Sequence, residues 1–227
     1  MFWLGGPGTI FVLMAFAFAM YAQRKVMSTY QRYSRISNRR GLTGSETAQA
    51  LLKQHGVYDV TVEQVAGNLT DHYDPRVKKL RLSPDIYHGT SLAALGIAAH
   101  ETGHALQHNV GYAPLAIRNA IVPIAQLGST LALPLFMAGF ILSWPSLADI
   151  GILFFLAAVV FQIATLPVEF DASSRAIAML GDGNYLSQQE IGPARAVLQA
   201  AALTYVAAAA TAIAQLLRLV MLRRSRD

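Results

Sequence analysis

Residues 91–108 read SLAALGIAAHETGHALQH, and the order of chemistry within them governs the reading of everything around them. His100-Glu101-Thr102-Gly103-His104 spells H-E-x-x-H. On a helix, positions i and i+4 lie one above the other on the same face. Two imidazoles so placed can hold one zinc ion, with the Glu beside the first reaching a water at the metal. The flanks suit a helix: Ser91 is an N-cap residue type, Leu92, Leu95, Ile97 and Ala98 supply an apolar body, and Gly111 and Pro114 supply a stop.

Outward from this stretch, composition sets the class. Of 227 residues, 54% are hydrophobic and only 14% charged, which departs from the soluble average towards membrane proteins. The apolar excess comes in four blocks, at 2–22, 119–142, 147–166 and 197–217, and Asp149 is the one charge in any of them. Each is about as long as a helix that crosses a bilayer, and none keeps the polar stripe of a helix in a soluble bundle. The net charge of +5 is uneven: Arg24, Lys25, Arg32, Arg35, Arg39 and Arg40 follow the first block directly. That is a positive-inside flank at anionic headgroups, and it lacks the interleaved aromatics of a nucleic-acid surface. No cysteine is present, so disulfide scaffolds and Cys-based metal sites are excluded.

In chain order, residues 1–22 read as an uncleaved anchor, because the basic cluster follows the apolar run and does not precede it. Residues 23–40 are a juxtamembrane helix or linker. Thr43-Gly44-Ser45-Glu46 has capping-box spacing, so a short helix follows, with Ala48, Leu51 and Leu52 inward and Gly56 at its end. Three short strands are expected before the H-E-x-x-H helix, at 59–65, 69–71 and 77–82, with Leu80 and Leu82 on one face. His72-Tyr73-Asp74-Pro75 then falls between strands, as an Asp-Pro turn or as groups near an active-site cleft. His55 reads as a helix-end residue and His88 is undecided. Pro123 and Pro134 are expected to bend the second span, Trp144-Pro145 to turn the chain at the interface, Pro167 to break the third span, and 186–195 to form a polar connector.

A catalytic zinc takes three protein ligands and leaves a position open for water. His108 lies about 12 Å along the axis from His100 if the helix continues, too far to share the ion, and is read as a supporting residue or a cap. Glu169 is the stronger third ligand. An acid at the end of an apolar span is costly unless paired or bound to a cation, and two spans bring it back to the side of His100. The alternative is an ion pair between Glu169 and Arg175. With that gluzincin-like set, Glu101 is the expected general base. His72, Tyr73, His88, Tyr112, Arg175 and Tyr185 are all candidates for an oxyanion donor, and Asp171 is the nearest acid to orient a zinc-bound histidine.

Several of these segments together resemble the neutral zinc metallopeptidases of the YugP type, membrane proteins of bacteria and archaea. The segments are Leu69-Thr-Asp-His72-Tyr-Asp74-Pro75, Arg81-Leu-Ser-Pro84, Ala99-His100-Glu-Thr-Gly-His104-Ala-Leu-Gln-His108, Leu166-Pro-Val-Glu169-Phe-Asp171-Ala-Ser and Ala200-Ala-Ala-Leu-Thr-Tyr205-Val-Ala. The resemblance covers nearly the whole chain. It implies a membrane-anchored peptidase and gives His72 and Asp74 weight as residues of a signature. More distantly, the chain is similar to membrane peptidases whose later helix begins E-x-x-x-D, but here Ser173 stands four residues after Glu169.

The expectation is therefore a mainly α membrane protein: four transmembrane helices with a small cytosolic α+β zinc-peptidase domain. Residues 1–22 form the anchor, 23–114 the catalytic region, 115–168 a transmembrane hairpin, 169–196 a cytosolic segment carrying the third ligand, and 197–227 the fourth span and basic tail. The expected ligand is Zn2+ and the expected partners are a peptide or protein substrate and the plasma-membrane bilayer, with no nucleic acid. Two other readings stand beside this one: an intramembrane metalloprotease, and a non-catalytic scaffold whose structural zinc is closed by His72 or His108.

Overall fold

The computed structural model describes Gly6 and residues 8–225; residues 2–5 and Pro7 of the first apolar block and Arg226 of the basic tail lie outside the described residues. The chain is mainly helical. In order come α1 (Thr9–Tyr33), α2 (Gly44–Gln54), β1 (Thr61–Gln64), β2 (His72–Asp74), β3 (Lys79–Leu82), α3 (Pro84–Tyr87), α4 (Leu92–Asn109), α5 (Ala113–Ile141), α6 (Pro145–Asp182) and α7 (Gln188–Arg224). The helices α1, α5, α6 and α7 are each long and apolar enough to cross a membrane.

The chain divides into two compact units, one of Met1–Gln23, Ala116–Leu166 and Thr204–Asp227, the other of Arg24–Leu115 and Pro167–Leu203. In the first, Gly128 and Gly139 of α5 and Gly151 of α6 stand where a Cβ would run into the backbone of the other helix. Small residues of this kind let membrane helices approach closely. At one end of the unit a Cβ on Gly8 would meet Arg218, and Arg223 forms an ion pair with Asp149 at 3.0 Å. The outward faces are apolar: Ile124, Leu127, Leu153 and Ile163 are all exposed.

The second unit is built around α4. Its core takes Ala48, Leu51 and Leu52 from α2, Leu80 and Leu82 from β3, Leu95, Ala98 and Ala99 from α4, and Ala176, Leu180, Ala194 and Leu198 from the later helices. The α2 start is the predicted capping box: Thr43 accepts from the Glu46 amide while the Glu46 carboxylate accepts from the Thr43 amide. Ser91 caps α4, its hydroxyl accepting from the Ala94 amide at 3.1 Å. The segment after α1 is tied to this cap, through Asn38 N–H donating to Thr90 O and a bridge between Ser37 and Ser91.

The three-stranded sheet has the order β1-β3-β2, with β1 parallel and β2 antiparallel to β3. The edge strand β2 differs from expectation by three residues. Residues 69–71 are not a strand: Leu69 has φ +53°, and Asp71 turns inward to accept from the amide and hydroxyl of Ser83. The strand is His72–Asp74, because Tyr73 is the residue that pairs with Leu80 and packs on the core. Helix ends also differ. α1 runs on to Tyr33, α7 begins at Gln188 within the expected connector, and Pro167 leaves α6 unbroken. A proline's φ is already helical, so within a packed helix it removes one hydrogen bond without ending the helix.

Candidate metal centre

α4 presents His100 and His104 one turn apart, their rings 4.7 Å between centroids and nearly perpendicular. Glu169, on the part of α6 that belongs to the same unit, reaches both. Its Oε2 lies 3.3 Å from His100 Nε2 and 3.6 Å from His104 Nε2. The three donor atoms lie within 4.8 Å of one another, and they are the one such group of His and acidic residues among the described residues. Zinc bonds of about 2.0–2.1 Å at tetrahedral angles separate ligand atoms by roughly 3.4 Å, so the donor set and its spacing fit zinc. Glu169 is almost fully buried, at 3% exposure, where a carboxylate needs a cation.

The approach of the two helices depends on Gly103. A Cβ there would lie 2.7 Å from the carbonyl oxygen of Ala172 and 3.2 Å from its Cα. Any side chain at 103 pushes α4 away from the turn that carries Glu169.

Each imidazole is held from behind by its other nitrogen. His100 Nδ1 lies 3.2 Å from Ser173 Oγ, and His104 Nδ1 lies 3.0 Å from Gln107 Oε1. The second contact fixes a tautomer. Gln107 Nε2 donates to Val168 O and Asp171 Oδ2, both at 2.8 Å, and those oxygens can only accept. Oε1 therefore faces His104, Nδ1 carries the hydrogen, and Nε2 is left with a lone pair aimed at the Glu169 side. Burial opposes a charge on His104, but the hydrogen bond it donates to Glu169 and the charges of Glu101 and Glu169 outweigh it and hold its pKa above the usual value. A proton and a metal cation thus compete for Nε2.

Glu101 is 8% exposed, and among the described residues its carboxylate accepts no hydrogen bond. Asp171 reaches His104 only through Gln107, and it also takes a 2.6 Å contact from Arg175 Nε. Arg175 therefore pairs with Asp171, and its guanidinium lies over the Tyr112 ring. The contacts of the other sequence candidates lead elsewhere. His72 meets Thr70 O and Arg81, Asp74 meets Arg76 and Arg81, and His88 meets Gln64. His108 accepts from or donates to the Tyr73 hydroxyl at 2.8 Å, and Tyr185 donates to Gln54. Sequence reasoning missed Gln107 and Gly103. The one hint in the sequence was that Gln107 lies three residues past His104 on the same helix; its full burial is seen only in the fold, and Ser173 occupies the position where an Asp was looked for.

A sequence model of the family described as "Putative neutral zinc metallopeptidase" matches residues 8–224. A relative from Bacillus subtilis (strain 168), named "Putative membrane protease YugP", is 45% identical over 210 residues, covering 92% of this chain and 93% of its own. No solved structure matches the chain significantly. With a match spanning both the helix pair that gathers the three donors and the four apolar helices, the chain belongs to this family of neutral zinc metallopeptidases.

Proposed function

We propose that the protein is a membrane-anchored zinc endopeptidase that hydrolyses peptide bonds of membrane or membrane-proximal proteins on the cytosolic side. The observation that carries this reading is the convergence of His100 Nε2, His104 Nε2 and a Glu169 carboxylate oxygen beside an unengaged Glu101. His100, His104 and Glu169 hold the metal. Zinc bound there supplies Lewis acidity, lowering the pKa of a water and polarising a carbonyl. A carboxylate oxygen of Glu101 takes the proton of the attacking water and delivers it to the leaving amine nitrogen. Gln107 keeps His104 in the ligating tautomer, Ser173 holds the His100 ring from behind, and Asp171 anchors Gln107. Three donors leave a fourth position open, which favours catalysis over the scaffold reading. His72 and His108, the fourth ligands that reading needs, are engaged with Arg81 and Tyr73.

The basic flank of α1 favours a topology with the catalytic unit in the cytosol and both termini outside. The contact of Gly8 with Arg218 supports termini on a common side. Cysteine labels at Ser37 and Ser187 are expected to be shielded from an impermeant reagent in intact cells, with one at Ser225 reactive; a reactive Ser37 label reverses the orientation.

Metal analysis and peptidase assay of purified variants test the chemistry. His100→Ala, His104→Ala and Glu169→Ala should lose zinc. Glu101→Gln should fold, keep about one zinc and lose about 10²–10⁴-fold in turnover. Wild-type turnover in Glu101→Gln removes the proposed mechanism, and normal zinc affinity in Glu169→Ala removes the third ligand.

A further inference from the structure

A concavity lies in the unit that holds the metal centre. It is a cleft of about 510 Å³ between residues 25–33 of α1 and residues 196–203 of α7. Lys25, Ser28, Thr29 and Arg32 form its α1 wall, at the 3–4–7 spacing of one helix face. Ala196, Gln199, Ala200 and Leu203 form the wall opposite, apolar apart from Gln199, the two alanines leaving the space open.

The two cations are available to a ligand from outside. Among the described residues no carboxylate lies within salt-bridge distance of Lys25 or Arg32. The neighbouring Arg39 and Arg40 are spent within the protein, Arg39 on Gln189 and Arg40 on Asn184 O and the Tyr185 ring. Arg32 is held over the Tyr33 ring at 5.4 Å. The hydroxyls of Ser28 and Thr29 donate to Lys25 O, so recognition of an anion falls on the two cations.

The depth of the cleft is set by the sequence. Arg24 ends the uncharged run of α1, and Arg195 is the last charge before the uncharged run of α7. Both helices therefore pass between headgroup and hydrocarbon at the level of the cleft. An occupant there meets two cations and an alanine–leucine wall at once, which matches a lipid phosphate joined to acyl chains.

We propose that this cleft binds the phosphate of an anionic phospholipid between Lys25 and Arg32, with the acyl region along Ala200 and Leu203. The site does not depend on the zinc chemistry.

The test uses full-length protein in a neutral, phosphate-free detergent, with lipid retention counted by native mass spectrometry and thermal midpoints recorded. Phosphatidylglycerol should bind and raise the midpoint, while phosphatidylcholine with the same chains should do so far less. At about fivefold per cation, Lys25→Gln/Arg32→Gln should weaken phosphatidylglycerol binding about twenty-five-fold. Arg24→Gln/Arg35→Gln, with equal charge loss outside the cleft, should weaken it no more than a few-fold. Ala200→Leu narrows the cleft at its apolar wall, keeps both cations and should also weaken lipid binding. Equal losses in the two double variants, undiminished binding in Ala200→Leu, or equal retention of phosphatidylcholine overturns the site. Stabilisation by inorganic phosphate as large as by phosphatidylglycerol overturns the lipid as its source.

Discussion

The helices α4 and α5 are both apolar along most of their length, and their surroundings are opposite. Fourteen of the 18 residues of α4 are buried inside protein, including Glu101, Thr102, His104 and Gln107. α5 is longer, at 29 residues, and only 22% of its most apolar stretch is buried. Ile117, Ile124 and Leu127 stand more than half exposed. Apolar content alone does not distinguish these environments. Length and polar residues do: a core helix can carry imidazole and carboxylate because neighbouring elements satisfy them, whereas a lipid-facing helix has nothing to offer such groups.

The contrast is most open to challenge by truncation. Leu95→Ala, at a fully buried position of α4, should cost about 2–5 kcal/mol, whereas Leu127→Ala on α5 should cost less than about 1 kcal/mol, since its side chain stays in an apolar medium whether the helix is packed or not. Unfolding in the same micelles measures both, and similar costs would mean that α5 is a core helix. Next comes the helix approach itself. Gly103→Ala should destabilise by about 1–3 kcal/mol and reduce bound zinc, because the new methyl meets the Ala172 carbonyl. A variant with unchanged stability and metal content would show that Glu169 reaches the histidines by another route.

Gln107→Leu probes the polar interior of α4 alone. It fills the same space and leaves His104 Nδ1 without an acceptor, so zinc affinity, read by chelator competition, should fall about 10–100-fold with the fold retained. Unchanged affinity would detach Gln107 from the metal centre. The smallest effect is at Asp71. Burial raises its carboxyl above the ordinary range, assisted by Glu101 and opposed by the Ser83 bonds. The folded state therefore holds this proton more tightly than the unfolded chain does. The stability it contributes is complete at pH below the ordinary carboxyl value and is lost as pH rises through the raised folded value. Asp71→Asn should flatten that part of the pH–stability profile and change stability at neutral pH by under about 1 kcal/mol; identical profiles for the two proteins would contradict it.

Much of this was legible from residue order because the physics was local. A capping box, a Ser N-cap and the i, i+4 pair need only neighbours in the chain, and the Thr43, Ser91 and His100–His104 readings rest on such geometry. Glu169 was found by a global argument, the cost of an acid at the end of an apolar run. What stayed hidden depended on packing between distant segments. His72–Asp74 became a strand because Tyr73 fits against Leu80 and the core, a preference that alternation in a three-residue stretch does not carry. Asp71, within the expected strand, turned inward to Ser83, twelve residues away. Gln107 and Gly103 acquire meaning only once α6 lies against α4.

That dependence has a consequence for synthesis. His100 and His104 leave the ribosome long before Glu169, which is separated from His100 by 69 positions and by the whole of α5. At about 5–20 residues per second the histidines wait several seconds for their carboxylate. A nascent chain that has emerged only as far as Leu142 owns two of three donors and lacks the helix that gives Gln107 its anchor. The three-donor centre is thus incomplete until the later helices have been made, and the two histidines alone cannot assemble it.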